Sequence, residues 1–435
     1  MKNTYSEMKD SGVAWIGNTP TTWDTKHLFQ LTIQVKNKNS TLLEQNLLSL
    51  SYGKIKRKSI ETKEGLLPAS FDNYNIVEKD DIVLRLTDLQ NDHTSLRVGK
   101  VEERGIITSA YVSIRPVWGD SKYIYYALHS FDLKKGFYGM GAGVRQGLTF
   151  TEAKMIKIPF PGLTEQTAIA AYLDEKCGTI DAIIEEAKAS IEEYKAWKSS
   201  VIFEAVTKGL NPNAEMKDSG VEWIGKVPKD ADVIKLKYLI NGYKAGPFGS
   251  ALITNALLPI GEILVYTPEH IALKTVESEK NLFLPNERRE EMSQFFVSPG
   301  DVIFPIVGSL GRAMQITENM PDGIINQRLA KFRLNEKRVN KRYFMWLFAN
   351  SSFYSTYIDL YQRGSIIVNL TKTIVGDMPF ICYELSMQQK IADYLDKKCA
   401  AIDGIIAEKE TLIADMEAYK KSLIFETVTG KRKIC

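Results

Sequence analysis

The chain of 435 residues has four cysteines, four histidines and no Pro-Pro dipeptide, and each shortage removes a class of chemistry. The cysteines form no Cys-x-x-Cys pair, and His27, His93, His129 and His270 share no ligand spacing. Neither a metal centre nor a redox dithiol is therefore expected, and the sparse cysteines suit a reducing compartment. Without Pro-Pro the Asn/Asp-Pro-Pro-aromatic motif of an amino-methyltransferase is missing, and no Walker sequence occurs. The glycine-rich run 139–143 follows a helical stretch instead of opening a helix after a strand, so it reads as a connection. Pro321-Asp322 gains no nuclease-like partner from Glu193-Tyr194-Lys195, a Glu-x-Lys that falls within a long heptad helix. No catalysis, cofactor or metal is expected. No apolar run approaches the ~20 residues of a membrane span, and Met1-Lys2-Asn3 opens no signal peptide, so a cytoplasmic protein with no membrane partner is expected. A net charge of +3 is too small to announce nucleic acid by itself.

What the chain does have is a repeat. MKDSGVAWIGNTP from Met8 and MKDSGVEWIGKVP from Met216 agree at ten of thirteen positions. IAAYLDEKCGTIDAII from Ile169 returns 222 residues later as IADYLDKKCAAIDGII from Ile391. Between the shared blocks lie two divergent, β-rich segments with strand-like runs at 81–86, 110–115, 262–266, 301–306 and 329–334. Helical stretches at 122–132 and 342–352 give both segments one coarse plan, an α+β head with a mixed sheet. Residues 1–164 carry +5 and 208–386 carry +2, while 165–207 carry −5. Residues 387–435 carry +1, or −2 without Lys431, Arg432 and Lys433 at the tail, so both repeated helices read as acidic and phosphates would be tolerated by the heads and repelled by the helices.

The first helix, over 165–207, steps apolar or core-compatible residues at 4-3-4-3: Leu173, Cys177, Ile180, Ile184, Ala187, Ile191, Tyr194, Lys198, Val201 and Ala205. Their mates from Leu395 to Thr427 keep the phase, which predicts a coiled-coil seam. Gly209 and Pro212 end the first helix, a rod of roughly 65 Å. The expected domains are head 1 over 1–164, first long helix over 165–210, head 2 over 211–386 and second long helix over 387–435. The expected fold is α+β, with two mixed α/β heads at opposite ends of an antiparallel two-helix coiled coil and a pseudo-twofold axis relating the halves.

Gly147-Leu148-Thr149, Ile158-Pro159 and Thr164-Glu165-Gln166, leading into Ile169–Asp174, have counterparts in Leu370-Thr371, Met378-Pro379, Gln388-Gln389 and Ile391–Asp396. With DSGVxWIGxxP, Gly246-Pro247-Phe248-Gly249-Ser250 and Ser309-Leu310-Gly311-Arg312, this order resembles the specificity subunit of type I restriction–modification enzymes over essentially the whole chain. The resemblance implies a non-catalytic reader of double-stranded DNA. Each head would be a target recognition domain for one half of a bipartite target methylated at adenine. The helices would set the spacer, and two methyltransferase subunits would dock, with restriction/translocase subunits assembling around them. The alternative is a coiled-coil adaptor with two protein-binding heads.

Residues that could touch DNA are chosen by chemistry. Tyr52, Lys54, Lys56, Arg57 and Lys58 form the densest basic cluster of the first head, suited to phosphates or simply to solvent. Arg85, Thr87, Asp88, Gln90, Asn91, Asp92, His93, Ser95 and Arg97 follow a strand and include the side chains that pair with base edges. Arg145 lies in a second loop. In the second head the candidates are Lys244, Phe248 and Ser250, where Gly246 and Gly249 permit close phosphate approach, with Ser309, Arg312, Asn326, Gln327, Arg328, Arg363 and Ser365. Gln327 and Arg328 could equally close a sheet edge or form an ordinary ion pair. Trp15, Trp223, Tyr172, Tyr394, Asp174 and Asp396 lie in shared blocks and are candidates for docking a partner, or for packing and capping.

Overall fold

The chain divides into two units, residues 1–188 with 410–435 and residues 189–409, so each takes one head, the start of one long helix and the end of the other. The computed structural model describes residues 4–60, 70–89, 91–92, 94–140, 147–248, 252, 257–308, 310–349, 353–362 and 370–434.

In unit 1 a four-stranded antiparallel sheet runs in the order Thr32–Val35, Val112–Pro116, Ile82–Leu84, Val98–Lys100. Ile82, Leu84, Val98 and Ile114 pack on the helix Ser121–Leu133 through Ile124, Ala127, Leu128 and Phe131. Asp120 caps that helix by accepting from the Tyr123 N–H at 2.9 Å. Val83, on the opposite face, packs with Leu50 and Ile55 of the hairpin Leu48–Ser51/Lys54–Arg57. Strand alternation sends Leu50 inward and leaves Lys54 and Lys56 outward.

Unit 2 repeats the sheet as Ile240–Ala245, Leu329–Leu334, Asp301–Pro305, Met314–Gln315. Its core closes on the helices Lys341–Ala349 and Phe353–Gln362. The central four-stranded sheet of each head is antiparallel, and the mixed sheet the sequence suggested is a separate three-stranded one in unit 2, where Ile263–Tyr266 pairs antiparallel with Phe283–Leu284 and parallel with Gly323–Ile325. It lies over a second core of that unit. Each central sheet is pinned by one buried aspartate. Asp81 accepts two bonds from Arg115 at 2.7 and 2.8 Å, and Asp301 accepts from Arg333.

The long helices run Leu163–Lys208 and Leu385–Val428. None of the twenty expected heptad positions is exposed. In unit 1, Leu173, Cys177, Ile180 and Ile184 pack with Leu423, Ile424 and Val428 from the end of the second helix. In unit 2, Ile202, Ala205 and Val206 from the end of the first helix pack with Ile391, Leu395 and Cys399 from the start of the second. The pairing within each unit is antiparallel, and one ion pair states it twice. Lys420 meets Asp181 at 2.6 Å in unit 1, and the repeat mates Lys198 and Asp403 meet at 2.6 Å in unit 2. The second helix stops short of the chain end: Gly430, at φ +73°, turns residues 431–434 away from the helix axis. Lys431 Nζ then donates to the Ile16 and Asn18 carbonyls. No helix among the described residues is long and apolar enough to cross a membrane.

Candidate nucleic-acid interface

The shared residues turn out to be framework. In both copies of DSGV the aspartate accepts from the glycine N–H (Asp10–Gly12 3.0 Å, Asp218–Gly220 2.9 Å) and the serine from the valine N–H (Ser11–Val13 3.2 Å, Ser219–Val221 3.1 Å). Trp15 then lies edge-on to Phe131 and donates to the Lys157 carbonyl, while Trp223 lies edge-on to Phe353. Both indoles are half-buried on their own heads, as packing requires. Asp174 accepts from Tyr126 at 2.8 Å and from Lys122, and its mate Asp396 accepts from Trp346 at 2.7 Å and from Arg342. Each acid ties a long helix to its head helix, so the carboxylates expected to dock a partner are already engaged within the chain. Tyr172 is half-buried and Tyr394 exposed, which leaves Tyr394 the more open surface of the pair.

Two further shared pairs were given no role in the sequence. Gln166 is fully buried, accepting from the Asp120 N–H at 2.9 Å and donating to the Pro161 carbonyl at 2.8 Å. Gln388 does the same with the Asn340 N–H and the Tyr383 carbonyl. Tyr123 donates to Pro159 at 2.9 Å and lies 3.3 Å from the Val428 carbonyl; Tyr343 repeats this with Ile381 and Val206 at 2.8 and 3.4 Å. Burial pushes both phenols well above their usual range, so they remain donors. Their recurrence in both copies was the available signal.

The divergent residues carry the charged loops. At the tip of the unit 1 hairpin, Tyr52 (φ +48°) and Gly53 (φ +76°) form the two-residue turn, and Tyr52 is 76% exposed. Lys54 reaches Asp181 at 3.8 Å, and Arg57 pairs with Glu103, whose carboxylate raises the guanidinium pKa. Lys56 and Lys58 are exposed with no ion pair among the described residues. A Cβ on Gly53 would stand 3.0 Å from Leu96, so the hairpin tip abuts the loop 85–97. The structure thus brings the two strongest candidate segments of this head together.

That loop is tightly organised. Asp92 accepts from the N–H groups of Ser95 and Thr94, and these bonds, the Ser95 hydroxyl first among side chains, hold its carboxyl well below the usual range. Arg85 pairs with Asp92 at 3.6 Å, and Asn91 donates to Asp88 at 2.8 Å. Thr87, Asp88 and Asn91 face solvent, with Ser95 half-buried. Arg97 departs from the expectation: its side chain has 0% exposure and is spent on the loop's own carbonyls, leaving no exposed group to offer a duplex.

In unit 2 three candidate segments also converge. Gly246 does not open a path for phosphate, because a Cβ there would stand 1.9 Å from the Asn326 carbonyl. The missing side chain serves backbone packing, bringing the segment that leaves the strand of Lys244 and carries the 70%-exposed Phe248 against the 326–328 turn. Asn326 accepts from the Arg328 N–H at 3.0 Å. The Arg328 guanidinium stands 2.8 Å from where a Cβ on Gly308 would be, in the loop that leads to Arg312. Gln327, Arg328 and Arg312 are exposed, whereas Lys244 leans on the Phe295 ring at 5.2 Å and donates to Gln294. Gln90, His93, Arg145, Ser250, Ser309, Arg363 and Ser365 lie outside the described residues. Among the described residues no three His, Cys, Asp or Glu side chains gather to hold a metal ion.

No family model matches the chain. A curated relative, the type I restriction enzyme MjaVIII specificity subunit of Methanocaldococcus jannaschii, is 22% identical over 432 residues, 95% of this chain and 94% of the relative. A solved structure concerned with complex assembly and conformational transition of the type I R-M system shares the fold over 94% of this chain and 98% of its own, with TM-score 0.69 at 12% identity. A crystal structure of the HsdS subunit from Thermoanaerobacter tengcongensis covers 95% of this chain and 98% of its own, with TM-score 0.50 at 12% identity.

Proposed function

We infer that this chain is the DNA-specificity subunit of a type I restriction–modification system, each unit reading one half of a bipartite, asymmetric target. The observation that carries this is the end-to-end likeness to a specificity subunit, on a framework duplicated down to single hydrogen bonds. Duplicated framework with divergent loops is what two different half-sites ask of one scaffold. Tyr52, Lys54, Lys56 and Lys58 contact phosphates, and the exposed side chains of the 85–97 loop face base edges. In unit 2, Arg312, Gln327 and Arg328 take these roles, with Lys244 and Phe248 at their margin. The shared surfaces dock two methyltransferase subunits, and through them the restriction/translocase subunits. The long helices set the spacer. The chain itself is non-catalytic and acts in the cytoplasm.

The test is binding of the chain, assembled with its modification subunits, to duplexes at rising salt. Specific binding whose log affinity falls linearly with log salt is expected, with a slope near −0.9 per phosphate neutralised. Salt-insensitive or absent binding favours a protein adaptor, and adenine methylation by the chain alone would refute the non-catalytic assignment.

A further inference from the structure

We propose that Arg97 is the positioning residue of the unit 1 base-reading loop, a buried cation that fixes which side chains the loop presents to its half-site. The inference rests on the DNA-reading function proposed above and goes beyond it, because Arg97 has no exposed group to offer a duplex.

The geometry is unusual for an arginine. A guanidinium is rarely fully buried, and when it is, paired charge normally surrounds it. Here Nη1 donates to the Thr87 carbonyl at 2.5 Å, with Arg85 O at 3.4 Å, and Nη2 donates to Asp88 O at 3.2 Å and to Asp92 O. The acceptors are main-chain oxygens of the loop itself, so one planar fork ties together the carbonyls of Arg85, Thr87, Asp88 and Asp92. The carboxylate of Asp92, 3.9 Å away, supplies the nearest opposite charge. Tyr138 closes the arrangement, its ring 5.5 Å from the guanidinium and its hydroxyl donating to Asp92 O at 2.9 Å. From behind, the Asp132 carboxylate holds the Arg97 N–H. Asp88 sits at φ +60°, a conformation that needs outside support and that the bond from Arg97 to its carbonyl provides.

The repeat supplies the contrast. Lys100 faces Ile82 and Gln315 faces Val302 in equivalent strand pairs, which makes Arg312 the counterpart of Arg97. Arg312 is exposed. The same position is thus an internal organiser in one unit and, in the other, an exposed cation with no ion pair among the described residues.

A duplex library randomised in sequence, offered to the full chain assembled with its modification subunits, tests the role when the bound fraction is sequenced. The unmodified complex should enrich two short blocks separated by a spacer. Arg97→Lys keeps the charge but loses the fork, and preference at the affected positions of one block should fall about tenfold. The other block, the spacer and non-specific binding should not change. Equal erosion of both blocks, or no change in either, overturns the proposal. If Arg97→Lys does not assemble, Tyr138→Phe removes the hydroxyl that braces Asp92 and should weaken the same block; an unchanged block overturns the proposal. An unmodified complex that enriches no two-part sequence refutes the DNA-reading function instead.

Discussion

Asp132 and His129 sit one turn apart on the same head helix, and burial drives them in opposite directions. Burial is the largest influence on Asp132 and lifts it from its ordinary 3.8 to about 6, against the N–H groups of Arg97 and Val98. Burial also lowers His129 from 6.5 to about 4, with Lys420 adding to the effect. A raised carboxyl favours the folded state below pH 4, and that contribution is lost as pH rises through 6, a swing of about 3 kcal/mol. The lowered imidazole contributes above pH 6.5, and that contribution is lost as pH falls through 4. The two oppose one another across the same window. Asp132→Asn should therefore gain stability relative to the parent by about 3 kcal/mol between pH 4 and 7. It should also expose the acid sensitivity of His129. Urea unfolding across that range reads both, and a pH-independent difference would refute the assignment. At the same scale, Arg312→Ala tests the exposed counterpart of Arg97. If its guanidinium meets a base edge, discrimination in one half-site falls by about 1–3 kcal/mol; if it meets phosphate, all duplexes weaken together. Competition binding separates these outcomes.

Elements show where the sequence was legible. The heptads were readable because burial on a helix pair follows a period that residue type alone betrays, and all twenty positions are shielded as expected. Helix ends were less so: the first starts at Leu163, two residues before the expected start, and the second stops at Val428, because fraying and cap geometry depend on neighbours distant in sequence. Arg97 could not have been read as internal, since its acceptors are carbonyls, which carry no sequence signal. Gly246 was misread for a related reason: the backbone it accommodates belongs to residue 326, eighty positions away. Gln166 and Gln388 were visible only as repeated letters, yet each stitches a helix start to its head. Gln166→Leu leaves the Asp120 N–H and the Pro161 carbonyl buried without partners and should cost roughly 2–4 kcal/mol. Gln388→Leu should cost a similar amount through Asn340 and Tyr383. Chemical denaturation of the two variants checks the equivalence, and a neutral result in either copy would break it.

At the scale of the whole molecule, charge and covalent order constrain the function together. The first long helix carries −5 over 165–207 while the variable segments are positive, so under the proposed function phosphates would be drawn to the heads and away from that helix. Each unit needs the start of one helix and the end of the other, sealed by the repeated Asp181–Lys420 and Asp403–Lys198 pairs. An insertion in one helix alone therefore has no compensating length in its partner. Seven residues added after Lys188 lengthen one helix by about 10 Å while nearly preserving its face. That variant should lose assembly, or lose activity on the original target. Matching insertions after Lys188 and after Glu410, its repeat mate, keep both seams in register and should restore assembly. If the helices set the spacer, the matched variant accepts a target about three base pairs longer, since base pairs rise about 3.4 Å each. Three base pairs also rotate the duplex by roughly a third of a turn, so affinity for the lengthened target should fall below that of the parent for its own. Sequencing the duplexes enriched by each variant measures spacer and affinity together. A matched variant that still selects the original spacer would show that something other than the helices sets the distance.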